Sequence, residues 1–290
     1  MALKLCAVNR QFSIRGFYSA FPVKWDETFE FSGESHNFWE IVFFEQGDVE
    51  CVEDEKIYLV RDNCMLLHAP MEFHRIRSTP GSSPQGFIMT FKTEGVLPEE
   101  LKKGVFQLHN DEKEEYRSIC ENIRRLSNPK KEEPYTCGDD SATWINNADR
   151  EDPYAAQLAA DRLSAFLIRL SKHRADRELV SSGSAESYRR VISDMTERVC
   201  ENLTLADFAK RQNISVSYLK LLFQEYAGLS PKTYYNQLRV NKAVQLLEQD
   251  LPLAEIAETM NFSSQNYFTV FFRKHMGRSP SEYRKKMKSN

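Results

Sequence analysis

The stretch MNFSSQNYFTVFFRKHMGRSPSEY, residues 260–283, decides the fold because most of its pattern already occurs once upstream. The residue types that recur 49 positions later are those of Tyr218, Phe223, Gly228, Ser230, Pro231 and Tyr234. Before them the distance is 48 positions, since Asn213 and Ser215 correspond to Asn261 and Ser263. Recurrence at a fixed distance predicts two copies of one structural unit.

Each copy has the sequence pattern of a helix, a tight turn and a second helix. In the first copy, Thr204 with Asp207 resembles a capping box, and Asn213 suits the left-handed backbone of a turn. Ser215 is a typical N-cap, and Gly228 is a typical helix end. The apolar face of the second helix is predicted to be Leu219, Leu222, Phe223 and Tyr226.

The second copy repeats this pattern after a connecting helix. Ser230 and Pro231 begin that helix, which is predicted to run to about Gln249 with Leu238, Ala243, Leu246 and Leu247 facing inward. Asn261 again supplies the turn, and Ser263 or Ser264 the N-cap. The inner face of the following helix is predicted to be Tyr267, Phe268, Phe271 and Phe272.

Two short helices held in this way can each enter the major groove of double-stranded DNA, which is about 12 Å wide. A stiff connecting helix would let them reach two groove segments about one turn, ~10 bp, apart. The alternative is that their outward faces are ordinary solvated surfaces of an all-α domain. The predicted DNA-binding residues are Val216, Ser217, Lys220, Leu221, Gln224, Lys232, Arg239, Ser264, Gln265, Asn266, Thr269, Val270 and Arg273.

The charge distribution favours an anion-binding C-terminal region, although the formal net charge of the whole chain is −3. Residues 184–290 hold 16 Lys and Arg against 11 Asp and Glu, whereas residues 1–183 hold 23 against 31. Such an asymmetry is typical of a nucleic-acid-binding module attached to an acidic domain.

Residues 190–290 resemble the AraC/XylS family of bacterial regulators. The aromatic pair Tyr267-Phe268, the Gly-x-Ser-Pro-x-x-Tyr ending and the connecting stretch from Leu238 to Leu247 carry this resemblance. The family often has arginine two residues after the Tyr-Leu or Tyr-Phe pair, where this chain has Leu221 and Val270. The departure predicts a thymine-tolerant site whose affinity depends more on Lys220 and Arg273.

The N-terminal half is predicted to form short strands, with the best patterns at 38–44, 56–60 and 85–91. Many short strands at this spacing favour a barrel or sandwich. The pattern His36-Asn37-Phe38-Trp39-Glu40, followed by Gly47, Asp62, Pro70 and His74, resembles a small cupin barrel.

Three hypotheses remain for this barrel. The first is a small organic effector in the barrel mouth, with His36, Trp39, Glu40, His74 and Arg75 as its lining, and no metal or other cofactor. The second is a metal-binding cupin, in which Glu34 replaces the first histidine of the usual motif and joins His36, Glu40 and His74. The third is an effector-independent barrel that serves as a dimer scaffold.

The expected fold is therefore a multi-domain α+β protein. We expect a cupin-like barrel at 1–110, a helical dimerisation or regulatory segment at 111–175, a linker at 176–187 and an AraC-type domain at 188–290. Its two helix-turn-helix units are placed at 204–226 and 253–275. Residues 127–153 are predicted to be a loop. The helices at 112–126 and 154–174 either pair between subunits or pack on their own barrel, through stripes at Tyr116, Ile119, Cys120, Ile123 and Leu126 and at Leu158, Leu163, Phe166, Leu167 and Leu170.

The overall prediction is a cytoplasmic, homodimeric, non-enzymatic transcription regulator that binds DNA and responds to a small molecule. We find no pattern for a Ser/His/Asp set, a phosphate-binding loop or a dinucleotide site, and no stretch of about 20 apolar residues that could span a membrane. The six cysteines form no CxxC pair, which favours reduced thiols.

Overall fold

The computed structural model describes residues 8–102, 104–126, 153–172, 178–180 and 182–289. The chain divides into two compact units. The first comprises most of the residues up to Leu179, and the second begins at Val180 and also contains Phe31–Ser35 and Asp54–Ile57. Within the described residues, no helix is both long and apolar enough to cross a bilayer.

The first unit is built mainly from strands. Those among the described residues are β1 (Phe12–Lys24), β2 (Trp39–Gln46), β3 (Val49–Glu53), β4 (Lys56–Val60), β5 (Cys64–His68), β6 (His74–Ser78), β7 (Gln85–Gly95), β8 (Val105–Gln107) and β9 (Glu178–Leu179). They form a five-stranded sheet in the order β1-β7-β2-β5-β8 and a four-stranded sheet in the order β6-β3-β4-β9. The predicted strand at 56–60 is confirmed, whereas those at 38–44 and 85–91 extend further at their C-terminal ends.

Two apolar cores result from the alternation of side chains along the strands. On β2, Trp39, Ile41 and Phe43 lie on one face of the five-stranded sheet, while Val42 and Phe44 lie on the other. The first face packs on helices, and the second faces the four-stranded sheet. The described strands pair as two separate sheets, so continuous strand pairing does not close a barrel among them.

Helices α1 (Asn110–Leu126) and α2 (Pro153–Leu170) cover the outer face of the five-stranded sheet. Tyr116, Ile119 and Ile123 of α1 are buried in this core together with Leu163 and Phe166 of α2. The apolar stripes therefore pack on the chain's own sheet, which decides between the two interpretations of these stripes.

Helix α2 corrects one residue of its predicted stripe, because Leu158 is 59% exposed. Ala159 is buried in its place, one position further along the helix. The predicted loop at 127–153 lies outside the described residues except for Pro153, which begins α2. The burial of Leu126 also lies outside them.

The second unit is helical. Its helices are α3 (Gly183–Glu197), α4 (Leu205–Arg211), α5 (Val216–Tyr226), α6 (Pro231–Glu248), α7 (Leu253–Thr259), α8 (Gln265–Met276) and α9 (Pro280–Ser289). The two predicted helix-turn-helix units are α4–α5 and α7–α8, and α6 connects them. The Thr204–Asp207 capping box and the N-cap at Ser215 are confirmed, and Ser264 rather than Ser263 caps α8.

Helix α3 begins within the stretch 176–187 that the sequence suggested as a linker. The hydroxyl of Ser182 accepts a hydrogen bond from the amide of Ala185 and so caps the helix. Ala185, Tyr188 and Val191 of α3 are buried. The serine-rich composition indicated a flexible segment, but one of those serines is an N-cap.

The turns of both units use a left-handed asparagine, as predicted. Asn213 has φ +53° and Asn261 has φ +55°. We expect Asn213→Ala to lower the free energy of unfolding by about 1 kcal/mol, because alanine lacks the short polar side chain that lets asparagine adopt this left-handed conformation more easily. Asn213→Gly should change it little, since glycine adopts this backbone freely. Urea unfolding of both variants measures the difference, and an alanine variant as stable as the glycine variant would contradict it.

Candidate DNA interface and N-terminal polar cluster

The second helix of each helix-turn-helix unit has one buried face and one exposed face. In α5 the predicted inner residues Leu219, Leu222, Phe223 and Tyr226 are all buried. In α8, Phe268 and Phe272 are buried, but Tyr267 is 59% exposed and Phe271 is half-buried. The predicted inner face of α8 is therefore too wide, since residues four apart align better than a run of neighbours.

The exposed faces of the two helices correspond position by position. Leu221 in α5 and Val270 in α8 are each 64% exposed. Ser217 corresponds to Asn266 and Gln224 to Arg273, and all four are exposed. Among the other predicted contacts, Lys220, Lys232, Ser264 and Gln265 are exposed and Val216 and Thr269 are half-buried.

Two exposed tyrosines also lie on these helices and were missed as surface residues by the sequence analysis. Tyr218 is 36% exposed and Tyr267 is 59% exposed, at equivalent positions of the repeat. Large apolar residues exposed in matching places on both units indicate a contact surface. The repeat could have predicted the exposure of Tyr267, because the equivalent residue Tyr218 lies outside the predicted inner face of α5.

Arg239 corrects the predicted set of DNA contacts. It is 6% exposed, and its guanidinium donates a hydrogen bond to the carbonyl of Met260 at 2.8 Å. The same group lies 4.3 Å from the ring centre of Phe262. Burial lowers the pKa of this guanidinium from its usual value. Arg239 thus connects α6 to the turn of the second helix-turn-helix unit, between α7 and α8, and does not face solvent.

The first helix-turn-helix unit is stabilised by a different polar group, which the sequence did not predict. Asp194 of α3 is 7% exposed and accepts hydrogen bonds from Arg211 of α4 at 2.8 Å and from Arg198 at 3.0 Å. Burial would raise the pKa of Asp194, but these arginines and Gln212 lower it. The hydroxyl of Tyr235 on α6 donates to the carbonyl of Arg198. Helices α3, α4 and α6 are therefore fixed around one another.

In the N-terminal compact unit, the structure brings together three of the five predicted effector residues. His36 Nε2 lies 3.7 Å from one carboxylate oxygen of Glu40, and His74 Nε2 lies 3.5 Å from the other. Burial on its own would raise the pKa of Glu40, but the proximity of His36 and His74 lowers it to about 2. Glu40 is therefore ionised at neutral pH.

Trp39 and Arg75 do not join this group, because each directly neighbours a member along a strand and so points to the opposite face. Trp39 lies in the core against the helices and donates a hydrogen bond to Thr93 at 3.0 Å. Arg75 is 1% exposed and forms an ion pair with Glu30. The predicted lining is thus wrong for these two residues.

Two histidine–glutamate contacts cross between the sheets. Glu40 and His68 are opposite each other in the five-stranded sheet, and Glu53 and His74 are opposite each other in the four-stranded sheet. Each histidine reaches the glutamate of the other sheet, with His68 Nδ1 3.0 Å from Glu53. The rings of His68 and His74 stack with centres 4.2 Å apart. Burial lowers the pKa of His68 to about 4, so this imidazole is neutral at pH 7.

The described helices thus define a protein with two helix-turn-helix units joined by a helix, a class that binds DNA. A family model described as a helix-turn-helix domain matches residues 208–286. The Msm operon regulatory protein of Streptococcus mutans is 38% identical over 90 residues, which are 31% of this chain and 32% of the relative. The uncharacterized regulator YijO of Escherichia coli is 32% identical over 135 residues, 46% of this chain and 48% of the relative.

Among solved structures, the C-terminal domain of the response regulator AraT from Geobacillus stearothermophilus is 33% identical. The match covers 36% of this chain and 88% of the AraT domain, with a TM-score of 0.34. Through residues 208–286, this chain therefore resembles transcription regulators that carry a helix-turn-helix domain. The alignments span between about a third and a half of the length of the curated relatives named above.

Proposed function

We propose that this protein regulates transcription by placing α5 and α8 together in two successive major-groove segments of one duplex. The observation that carries the proposal is the matched exposure of the two helices, above all of Leu221 and Val270. Leu221 and Tyr218 on α5, and Val270 and Tyr267 on α8, expose apolar surface at equivalent repeat positions, and exposed apolar surface shared by several residues is typical of an interaction site.

The side chains on this surface suggest distinct roles. Gln224, Gln265 and Asn266 can pair with adenine, and Leu221 and Val270 can pack on thymine methyl groups. Lys220 and Arg273 can reach guanine or phosphate, whereas Val216, Ser217, Lys232, Ser264 and Thr269 lie where backbone contacts would set the register. Tyr218 and Tyr267 add hydroxyls at the same edge.

The test of this function is selection of binding sites from random duplex DNA with the purified full-length chain. The expected result is a site with two conserved blocks about 10 bp apart, in which thymines stand opposite Leu221 and Val270. Recovery of invariant guanines opposite these two residues would contradict the roles assigned to them. No enrichment at low salt would contradict the function itself.

We propose that the N-terminal compact unit, which contains the two sheets, is a cupin-like domain that binds a small effector beside His36, Glu40 and His74. The support is a polar group held between two apolar sheets, since buried polar residues of this kind are typical of a binding site. Binding there would change the occupancy of the promoter by shifting the population of DNA-binding conformations. The proposed homodimer would use the exposed apolar residues Tyr154, Leu158 and Ile168 of α2.

Thermal unfolding with a metabolite library tests the effector proposal. A compound that raises the midpoint for the wild type, and not for Glu40→Gln, would support it. If no compound raises the midpoint, the domain is the effector-independent scaffold. Sedimentation of the wild type and of Leu158→Glu tests the dimer, which should dissociate in the variant.

A further inference from the structure

A second set of metal-ligand side chains lies deeper between the sheets than the His36–Glu40–His74 group. Cys51 and Glu53 belong to β3, and His68 belongs to β5. One ligand atom from each of these three residues lies within 4.8 Å of the others. Their exposures are 0%, 1% and 0%. The three side chains therefore converge on one point that is closed to solvent.

The strand geometry explains this convergence. Cys51 and Glu53 are two residues apart on one strand, so both face the five-stranded sheet. His68 ends the strand on the facing sheet and reaches toward them. His68 Nδ1 lies 3.0 Å from a Glu53 oxygen, yet within the described residues neither nitrogen of His68 makes a hydrogen bond of normal geometry. The nitrogen of His68 and the oxygen of Glu53 are therefore close together without a well-directed hydrogen bond between them. This arrangement is the one that two ligands of the same cation adopt.

We propose that Cys51 Sγ, a carboxylate oxygen of Glu53 and an imidazole nitrogen of His68 bind a zinc ion. Sulfur, nitrogen and oxygen ligands are those that zinc takes in proteins, and three protein ligands leave a fourth position open. The fourth ligand would be water or a donor atom of a bound molecule. The proposal is independent of DNA binding and uses none of the residues of the His36–Glu40–His74 group.

The charge balance supports zinc rather than a set of buried groups without an ion. A dication, one thiolate, one carboxylate and one neutral imidazole sum to zero, so the complex could be buried without a net charge. The thiol of Cys51 must give up its proton for this. Burial raises the pKa of that thiol well above its usual range, but a bound dication supplies the positive charge that the thiolate needs. One proton is released to solvent for each ion bound.

Metal analysis of the purified full-length protein tests the site. The chain is loaded with zinc under reducing conditions and freed of excess metal by gel filtration. We expect about one zinc ion per chain for the wild type, and loss of that ion in Cys51→Ser and His68→Gln. Cys64→Ser is the matched control, because Cys64 is also buried in β5 but its thiol contacts Gln107 instead of the cluster. It should keep the ion.

Cobalt provides a second readout. The wild type loaded with cobalt should show the near-ultraviolet charge-transfer absorption of a cobalt–thiolate bond, and Cys51→Ser should lack it while retaining the wild-type circular dichroism. Wild-type protein with no zinc would overturn the proposal. So would zinc that survives in Cys51→Ser, or zinc that is lost in His36→Gln and kept in Cys51→Ser, since the ion would then belong to the other cluster.

Discussion

Replacing Leu221 and Val270 together with glutamate should abolish specific DNA binding and leave the fold intact. Both side chains are 64% exposed, so the substitutions add no buried charge. In the proposed complex each new carboxylate would lie in a groove lined by phosphates and by base acceptors. The unfavourable interaction is about 2 kcal/mol or more at each helix, which predicts a loss of at least about a thousandfold in affinity.

The matched control is Gln245→Glu together with Gln249→Glu. These residues are exposed, lie at the C-terminal end of α6 and its cap, and gain the same two charges. The control should bind the selected site within a few-fold of the wild type in a fluorescence anisotropy titration at fixed salt. Equal losses in both double variants would mean that net charge alone controls binding, and the groove-facing roles of Leu221 and Val270 would be wrong.

Arg239→Leu should destabilise the DNA-binding domain by about 3 kcal/mol. The substitution removes a buried charged hydrogen bond to the carbonyl of Met260, worth about 2 kcal/mol, and the interaction with Phe262, worth about 1 kcal/mol. For a domain of about 100 residues this loss corresponds to a fall of roughly 15 °C in the midpoint of thermal unfolding.

Arg273→Leu is the contrasting variant, because Arg273 is exposed on α8. It should keep the stability of the wild type and lose affinity for DNA. Calorimetry and anisotropy measured on both arginine variants should therefore give opposite patterns. A stable Arg239→Leu protein with weakened DNA binding would show that Arg239 contacts phosphate after all, as its sequence context suggested.

The sequence predicted the helix-turn-helix units well because their signals are local. A left-handed turn at Asn213, an N-cap at Ser215 and a stripe at Leu219 and Phe223 each depend on residues within a few positions. The repeat then doubled every such signal. For the same reason the sequence also predicted the matching exposed faces of α5 and α8.

The errors arose where the environment of a side chain depends on distant parts of the chain. Nothing near Arg239 in sequence shows that Met260 and Phe262 lie against it. For Trp39 and Arg75 the sequence did hold a clue, because neighbours on a strand cannot share one lining. The sequence did not predict the cluster of Cys51, Glu53 and His68, because its members come from two sheets and no local pattern specifies how those sheets pack against each other.

Hydroxyl-radical footprinting of the full-length chain on its selected site is the most direct test of the central claim. The proposed mode of binding predicts two protected patches on one face of the duplex, with centres about 10 bp apart. Leu221→Glu should remove one patch and Val270→Glu the other. A single patch in the wild type, or two patches that persist in the Val270→Glu variant, would contradict the simultaneous use of α5 and α8.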